Sequence, residues 1–157
     1  MARREIPLAG LQRRVNPYKI GNIHPTSWSK KMKKEVIYTD KAPEPGPYSQ
    51  AIKYGNLIFV AGQTSEDPAT NKAIHDSIAR QTERILSNNK TILEAAGSGM
   101  DNVLRCDVYL SSMVHKEEMN GVYRKFFPTD PPARNTVAVA GLDDNLDVEI
   151  EVIAAAD

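Results

Sequence analysis

The sequence predicts an α+β domain in which two helices cover one face of a mixed sheet of five or six strands. Three observations carry that prediction. Residues 71–96 place Ile78, Ile85 and Ile92 seven apart, and Leu86, Leu93 and Ala96 complete one apolar stripe at helical spacing. Residues 103–110 and 148–154 alternate apolar with polar side chains, as half-buried strands do. Clusters of Gly, Pro and Asn punctuate the intervals between these segments.

Residues 1–31 contain Pro7, Pro17 and Pro25, show no sustained period and lack the apolar stretch of a secretory signal. They are expected to form a flexible basic extension preceding a domain at 32–157. Their Arg-rich, acid-poor composition fits an organellar transit segment, and an expression leader or translation begun upstream of Met32 fits it equally. Short basic runs such as Lys30-Lys31 and Lys33-Lys34 are usually solvated chain, so they receive no function. From Glu35, EVIYT is a short β-like run, and the turn-rich KAPEPGPYSQ leads into AIKYGNLIFVAGQ, which reads as a hairpin. Its turn falls at Tyr54-Gly55-Asn56, where Gly and Asn tolerate positive φ. Residues 57–61 are apolar at every position, which predicts burial on both sides, by a helix and by a partner subunit.

The long helix of 71–96 should end at Gly97-Ser98-Gly99, because Gly supplies the left-handed cap conformation. In the next strand Leu104, Cys106, Val108 and Leu110 are expected on the buried face, with Arg105, Asp107 and Tyr109 opposite. Ser112 is a candidate cap for a second helix with the stripe Met119, Val122, Tyr123 and Phe126, ended by Pro128 and Pro131-Pro132. Strands at 136–140 and 148–154 complete the order ββ(β)αβαββ. Two helices cover only one face of such a sheet. On the other face Glu149 and Glu151 must meet water, a cationic partner or another subunit, because an isolated buried charge is costly. That combination predicts an oligomer with polar pockets in its seams.

Composition narrows the chemistry. The 157 residues include one cysteine, Cys106, and three histidines, so neither an internal disulfide nor a zinc-spaced Cys/His set is available. No apolar run approaches the ~20 residues of a membrane-spanning helix. Seven Lys/Arg and one acid, Glu5, fall in residues 1–31, which leaves 13 basic against 19 acidic side chains from Met32 onward. Such an acidic body lacks the phosphate-neutralising surface of nucleic-acid binders. There is no Walker loop, GxGxxG, HExxH or GxSxG. Tyr48, Asn120, Arg134 and Glu149 keep catalytic potential, each beside a turn or near the edge of an element. Taken singly, each has a commoner explanation: turn packing, a polar helix position, a solvated arginine and a solvent-facing strand carboxylate. Cys106 reads as an inert core thiol.

Seven segments in order change those odds: PGPYSQA at 45–51, VAGQ at 60–63, ILEAAG at 92–97, DVYL at 107–110, MNGVYRKFF at 119–127, PPARNTVAV at 131–139 and VEIEVIA at 148–154. Together they resemble the RidA family, also called YjgF or reactive intermediate deaminase A proteins. The resemblance implies a chorismate-mutase-like α+β sandwich that assembles as a homotrimer, sheets inward and helices outward, with three sites between subunits. It implies hydrolysis of reactive 2-imino acids, formed from enamines such as 2-aminoacrylate, to 2-keto acids and ammonia. Arg134 matches the arginine that holds the substrate carboxylate, and Glu149 the carboxylate that positions or activates water. Tyr48 and Asn120 match pocket-lining positions, and backbone N–H groups near Gly62 and Thr136 would complete the carboxylate cradle. Some members have Ser at the position of Ala61 and Cys at that of Thr136, so altered substrate preference is expected. No cofactor or metal is required by this chemistry, since the imine carbon is already electrophilic. A cytoplasmic location is the default expectation, with the extension as a route to an organelle. The rival readings are a 2-aminomuconate-type deaminase on the same scaffold, a non-catalytic trimeric acid-binding or chaperone-like protein, and a ribonuclease or translation inhibitor. The acidic body and the absence of a His pair disfavour the last.

Overall fold

The computed structural model describes residues 32–156, and the compact unit begins at Met32. The expected extension at 1–31 lies outside the described residues. Strand β1 (Lys34–Ile37) pairs antiparallel with β2 (Ala51–Tyr54), which turns through Gly55 at φ 64° into β3 (Leu57–Gln63). After a short hairpin of β4 (Glu66–Asp67) and β5 (Lys72–Ala73) comes α1 (Ile78–Ala95), and then β6 (Val103–Leu110). Helix α2 (Lys116–Phe126), β7 (Ala133–Ala138) and β8 (Val148–Ala155) complete the chain. The main sheet runs β1-β2-β3-β8-β6-β7, antiparallel except where β7 joins β6 in parallel. This is the predicted α+β architecture with its mixed sheet.

Helix α1 lies across β3 and β8 and alongside α2. Ile85, Leu86, Ile92 and Leu93 are fully buried against Val148, Ile150, Val152 and Ala154 of β8, and each such side chain contributes roughly 1.5–3 kcal/mol through burial. Ser77 caps α1 by accepting from the Arg80 amide, and Gly97 ends it at φ 74°, the left-handed conformation expected of the glycine run. Both helices lie on one face. On the other, Val36, Phe59 and Val137 are exposed in the single chain although they sit on sheet strands. Phe59 is therefore not enclosed on both sides by one chain.

Three local expectations change. The helix begins at Ile78 rather than near Asn71, because Asp67 Oδ1 accepts from the Ala69 and Thr70 amides and Asn71 takes a φ of 54°, which closes β4 and β5 into a hairpin. Leu104 is half-exposed rather than buried: Val103 faces Ala154 while Arg105 faces Ile153, so Leu104 is an extra residue bulged out of the ladder. Strand β7 starts at Ala133, three residues before the predicted 136, directly after the proline pair. Ser112 caps a 3-10 turn at Met113–His115, which leads into α2.

Buried polar side chains fix the loops that will matter for the site. Gln50 is 2% exposed; its Nε2 donates to the carbonyls of Thr39 (3.0 Å) and Pro43 (2.8 Å), and its Oε1 accepts from the Thr39 amide (2.7 Å). Asn71 Oδ1 accepts from the Glu44 amide at 2.9 Å, tying the same loop to the β4–β5 turn. Gln81 of α1 exchanges two hydrogen bonds with Asp147, one residue before β8. Replacing Gln50 by Ala should cost about 1–3 kcal/mol, the penalty for leaving buried backbone groups unpaired. Denaturant unfolding measures that loss, and amide exchange should accelerate between residues 39 and 48.

Candidate active site

At the edge of the uncovered face lies a cleft of about 270 Å³, bounded by the 43–50 loop, the end of β3, the β4–β5 hairpin and the start of β8. Tyr48, Gly62 and Glu149 all line it. Between Val60 and Gln63 the ladder to β8 is irregular, with two residues on β3, Ala61 and Gly62, against one on β8, Glu151. That irregularity brings the Gly62 backbone under the Glu149 side chain. A methyl group on Gly62 would fall inside the van der Waals envelope of Glu149 Oε1. Glycine is required here by close approach, since Gly62 does not take a positive φ.

Glu149 is half-buried and has no cationic partner among the described residues. Burial, followed by the nearby Asp143 and Glu151 charges, pushes its carboxyl above the ordinary value of 4.5. Asp143 reaches the cleft from a turn in which Asp144 and Asn145 both adopt positive φ. Tyr48 is 59% exposed, its ring free to meet a ligand.

Arg134 and Asn120 are elsewhere. They line a second cleft with Tyr123, Arg124 and the Pro131-Pro132 pair, and the Arg134 guanidinium stacks 4.5 Å from the Tyr123 ring centroid. No carboxylate pairs with Arg134 among the described residues. Asn120 is buried in α2 and donates to Glu117 Oε1 at 3.2 Å. The register explains the separation. Arg134 pairs with Cys106 and Thr136 with Val108, both buried beneath the helices, whereas Glu149 pairs with Tyr109 on the uncovered face. Arg134 and Thr136 therefore share the helix side of the sheet, and Glu149 lies on the opposite side. Thr136 lines neither cleft. Cys106 is buried as expected of a core thiol, and burial pushes its pKa up to about 11.

Sequence reasoning missed the other carboxylates of this cleft, Glu44 in the 43–50 loop and, further on, Glu66 and Asp143. Glu66 lies in the unforeseen hairpin and Asp143 in a turn. Neither belongs to a periodic segment, so no pattern announced them.

Comparison with known proteins agrees with this architecture. The family model described as Endoribonuclease L-PSP matches residues 39–156. A RutC family protein of Pyrococcus abyssi is 48% identical over 124 residues, 78% of this chain and 98% of that protein. A chloroplastic Reactive Intermediate Deaminase A of Arabidopsis thaliana is 43% identical over 124 residues, covering 78% of this chain and 66% of that protein. The chain belongs to the RidA family. The crystal structure of RidA from an Antarctic Psychrobacter superposes with a TM-score of 0.74 at 37% identity, covering 77% of this chain and 98% of that one. The RidA-type fold of two helices on a mixed sheet is thus common to this chain and to the solved structure.

Gly62→Ala should leave the fold intact, because the atom it displaces is the end of a flexible side chain. The displaced Glu149 carboxylate is the expected cost, read as a loss of about tenfold or more in any turnover that uses this carboxylate, since small misplacements of reacting groups are expensive. An unchanged melting temperature alongside that loss is the predicted pair of results.

Proposed function

We propose that this RidA-family chain hydrolyses reactive 2-imino acids to 2-keto acids and ammonia, in a homotrimer whose sites combine Glu149 of one subunit with Arg134 of the next. The observation that carries this reading is that both groups, on opposite faces of one sheet, lack an ion-pair partner among the described residues. One chain cannot bring them to a single small substrate, whereas a neighbour docked on the uncovered face can. Exposed Val36, Phe59 and Val137 on that face, and β7 as an unpaired edge, support such docking. The name borne by the Arabidopsis relative supports the reaction class.

In this reading the Arg134 fork holds the substrate carboxylate through two parallel charge-assisted hydrogen bonds, and backbone N–H groups near Gly62 and Thr136 complete the cradle. Glu149 accepts a proton from water as the water oxygen bonds to the imine carbon. That proton passes to nitrogen, giving a carbinolamine. Glu149 then carries the hydroxyl proton to the amino nitrogen, so that C=O re-forms as the C–N bond breaks and ammonia leaves. A carboxyl held above its usual range is a stronger base once ionised, which suits this exchange. Tyr48 covers the ligand and Asn120 supports the polar network. The extension at 1–31 is read as an appendage to this domain.

The description Endoribonuclease L-PSP raises a second activity. The charged side chains lining the Glu149 cleft, Glu44, Glu66, Asp143 and Glu149, are all carboxylates, which repel phosphate and favour the imine reading. A coupled assay, in which a pyridoxal-phosphate dehydratase or an amino-acid oxidase supplies 2-imino acids, tests it. Wild type should accelerate keto-acid formation; Arg134→Ala should raise KM sharply, and Glu149→Gln should lower kcat by about 10²–10⁴-fold. A protein that only captures acids would bind a 2-keto acid equally well as Glu149→Gln, with no rate to lose. The base must be ionised, so the rate falls as pH drops through the Glu149 pKa. Its raised value puts this acid limb above 4.5, and Asp143→Asn should draw the limb downward.

A further inference from the structure

The wall of the Glu149 cleft carries charge that imine hydrolysis does not use. Glu44, Glu66 and Asp143 line it along with Glu149, and no Lys, Arg or His does. Glu66 is the most firmly placed of the three. Asn88 of α1, 2% exposed, donates from Nδ2 to the Glu66 carbonyl at 3.0 Å. Glu66 also faces Ala73 in the β4–β5 ladder, and the neighbouring Ser65 hydroxyl donates to the Ile74 carbonyl at 2.9 Å. Its side chain is half-buried and has no ion-pair partner among the described residues. Burial, then Asp144 and Asp143, push its carboxyl up, so Asp143 acts on Glu66 and Glu149 alike.

We infer that Glu66, backed by Asp143, selects the charge of the substrate side chain: the cleft favours 2-imino acids ending in a guanidinium or ammonium group and rejects those ending in a second carboxylate. For turnover this rests on the imine-hydrolysing reading above; for binding it rests on the cleft's charge. In that reading the neighbouring subunit's Arg134 is taken by the substrate's own carboxylate. The far end of the ligand then meets carboxylates, with no Lys, Arg or His among this chain's described lining residues to offset them. A cationic end supplies the missing partner, and a planar guanidinium matches a carboxylate through two parallel hydrogen bonds. An anionic end is repelled in a partly desolvated cleft where charges are weakly screened. The occupant is an organic cation rather than a metal ion, because among the described residues no three His, Cys, Asp or Glu side chains are grouped closely enough to hold one. The dicarboxylic substrate of a 2-aminomuconate-type deaminase is disfavoured for the same reason.

The test compares imines generated by an amino-acid oxidase from arginine, methionine and glutamate, using the full chain. The kcat/KM of the arginine-derived imine should exceed that of the glutamate-derived imine by about 10²-fold in wild type, and the ratio should shrink with added salt. Glu66→Gln and Asp143→Asn should each reduce that ratio by about tenfold. An unchanged ratio in Glu66→Gln, with thermal unfolding showing a folded protein, overturns the inference and indicates that a neighbouring subunit neutralises Glu66. Calorimetric binding of 5-guanidino-2-oxopentanoate and 2-oxoglutarate separates the two levels. If no imine is turned over but the guanidino acid still binds tighter in a Glu66-dependent way, the hydrolysis reading falls and charge selection stands. Equal or tighter binding of 2-oxoglutarate overturns charge selection itself.

Discussion

Side chains alternate across a β-strand, and that constraint puts Arg134 and Glu149 on opposite faces of one sheet. The helices claim the first face, burying the β8 residues Val148, Ile150 and Val152, and no described element covers the second face. Glu149 and Glu151 are interleaved with those core residues, so the hydrophobic pattern that makes the sheet also aims the carboxylates away from the core. Among the described residues no opposite charge then answers either the carboxylate of Glu149 or the guanidinium of Arg134. Oligomer and site are, in this account, two consequences of the same alternation.

The cleft itself is shaped by buried amides rather than by apolar packing. Gln50 fixes the loop carrying Glu44 and Tyr48, Asn88 fixes the hairpin carrying Glu66, and Gln81 holds the residue just before β8. Each is fully or almost fully withdrawn from water and each satisfies backbone groups that a loop would otherwise leave unpaired. Rigid walls matter because the cleft's charges act only if held close to the ligand. Gly62 completes the arrangement by leaving out the one atom that would push Glu149 aside.

Much of this was legible in the residues. The isoleucine stripe marked α1, strict alternation marked β8, and Tyr54-Gly55-Asn56 marked the hairpin turn. The β4–β5 hairpin was not, because two strands of two residues each hold no period, and Glu66 was lost with it. Leu104 follows the apolar alternation of its strand yet points outward, since a bulge breaks the register that alternation assumes. Among site residues, Tyr48, Gly62 and Glu149 come together in one chain, while Arg134 and Asn120 do not. A motif match names residues without saying which chain supplies them; the face of the sheet does.

Complementation between two inactive variants addresses the composite site most directly. Arg134→Ala and Glu149→Gln subunits are each purified, mixed, unfolded and refolded together, and assayed for 2-imino acid hydrolysis beside the separately refolded variants. A site built from Glu149 of one subunit and Arg134 of the next predicts recovered activity in the mixture, because some interfaces then pair an intact Glu149 with an intact Arg134. A mixture no more active than its components, despite confirmed co-assembly, would contradict the account and return both residues to a single chain.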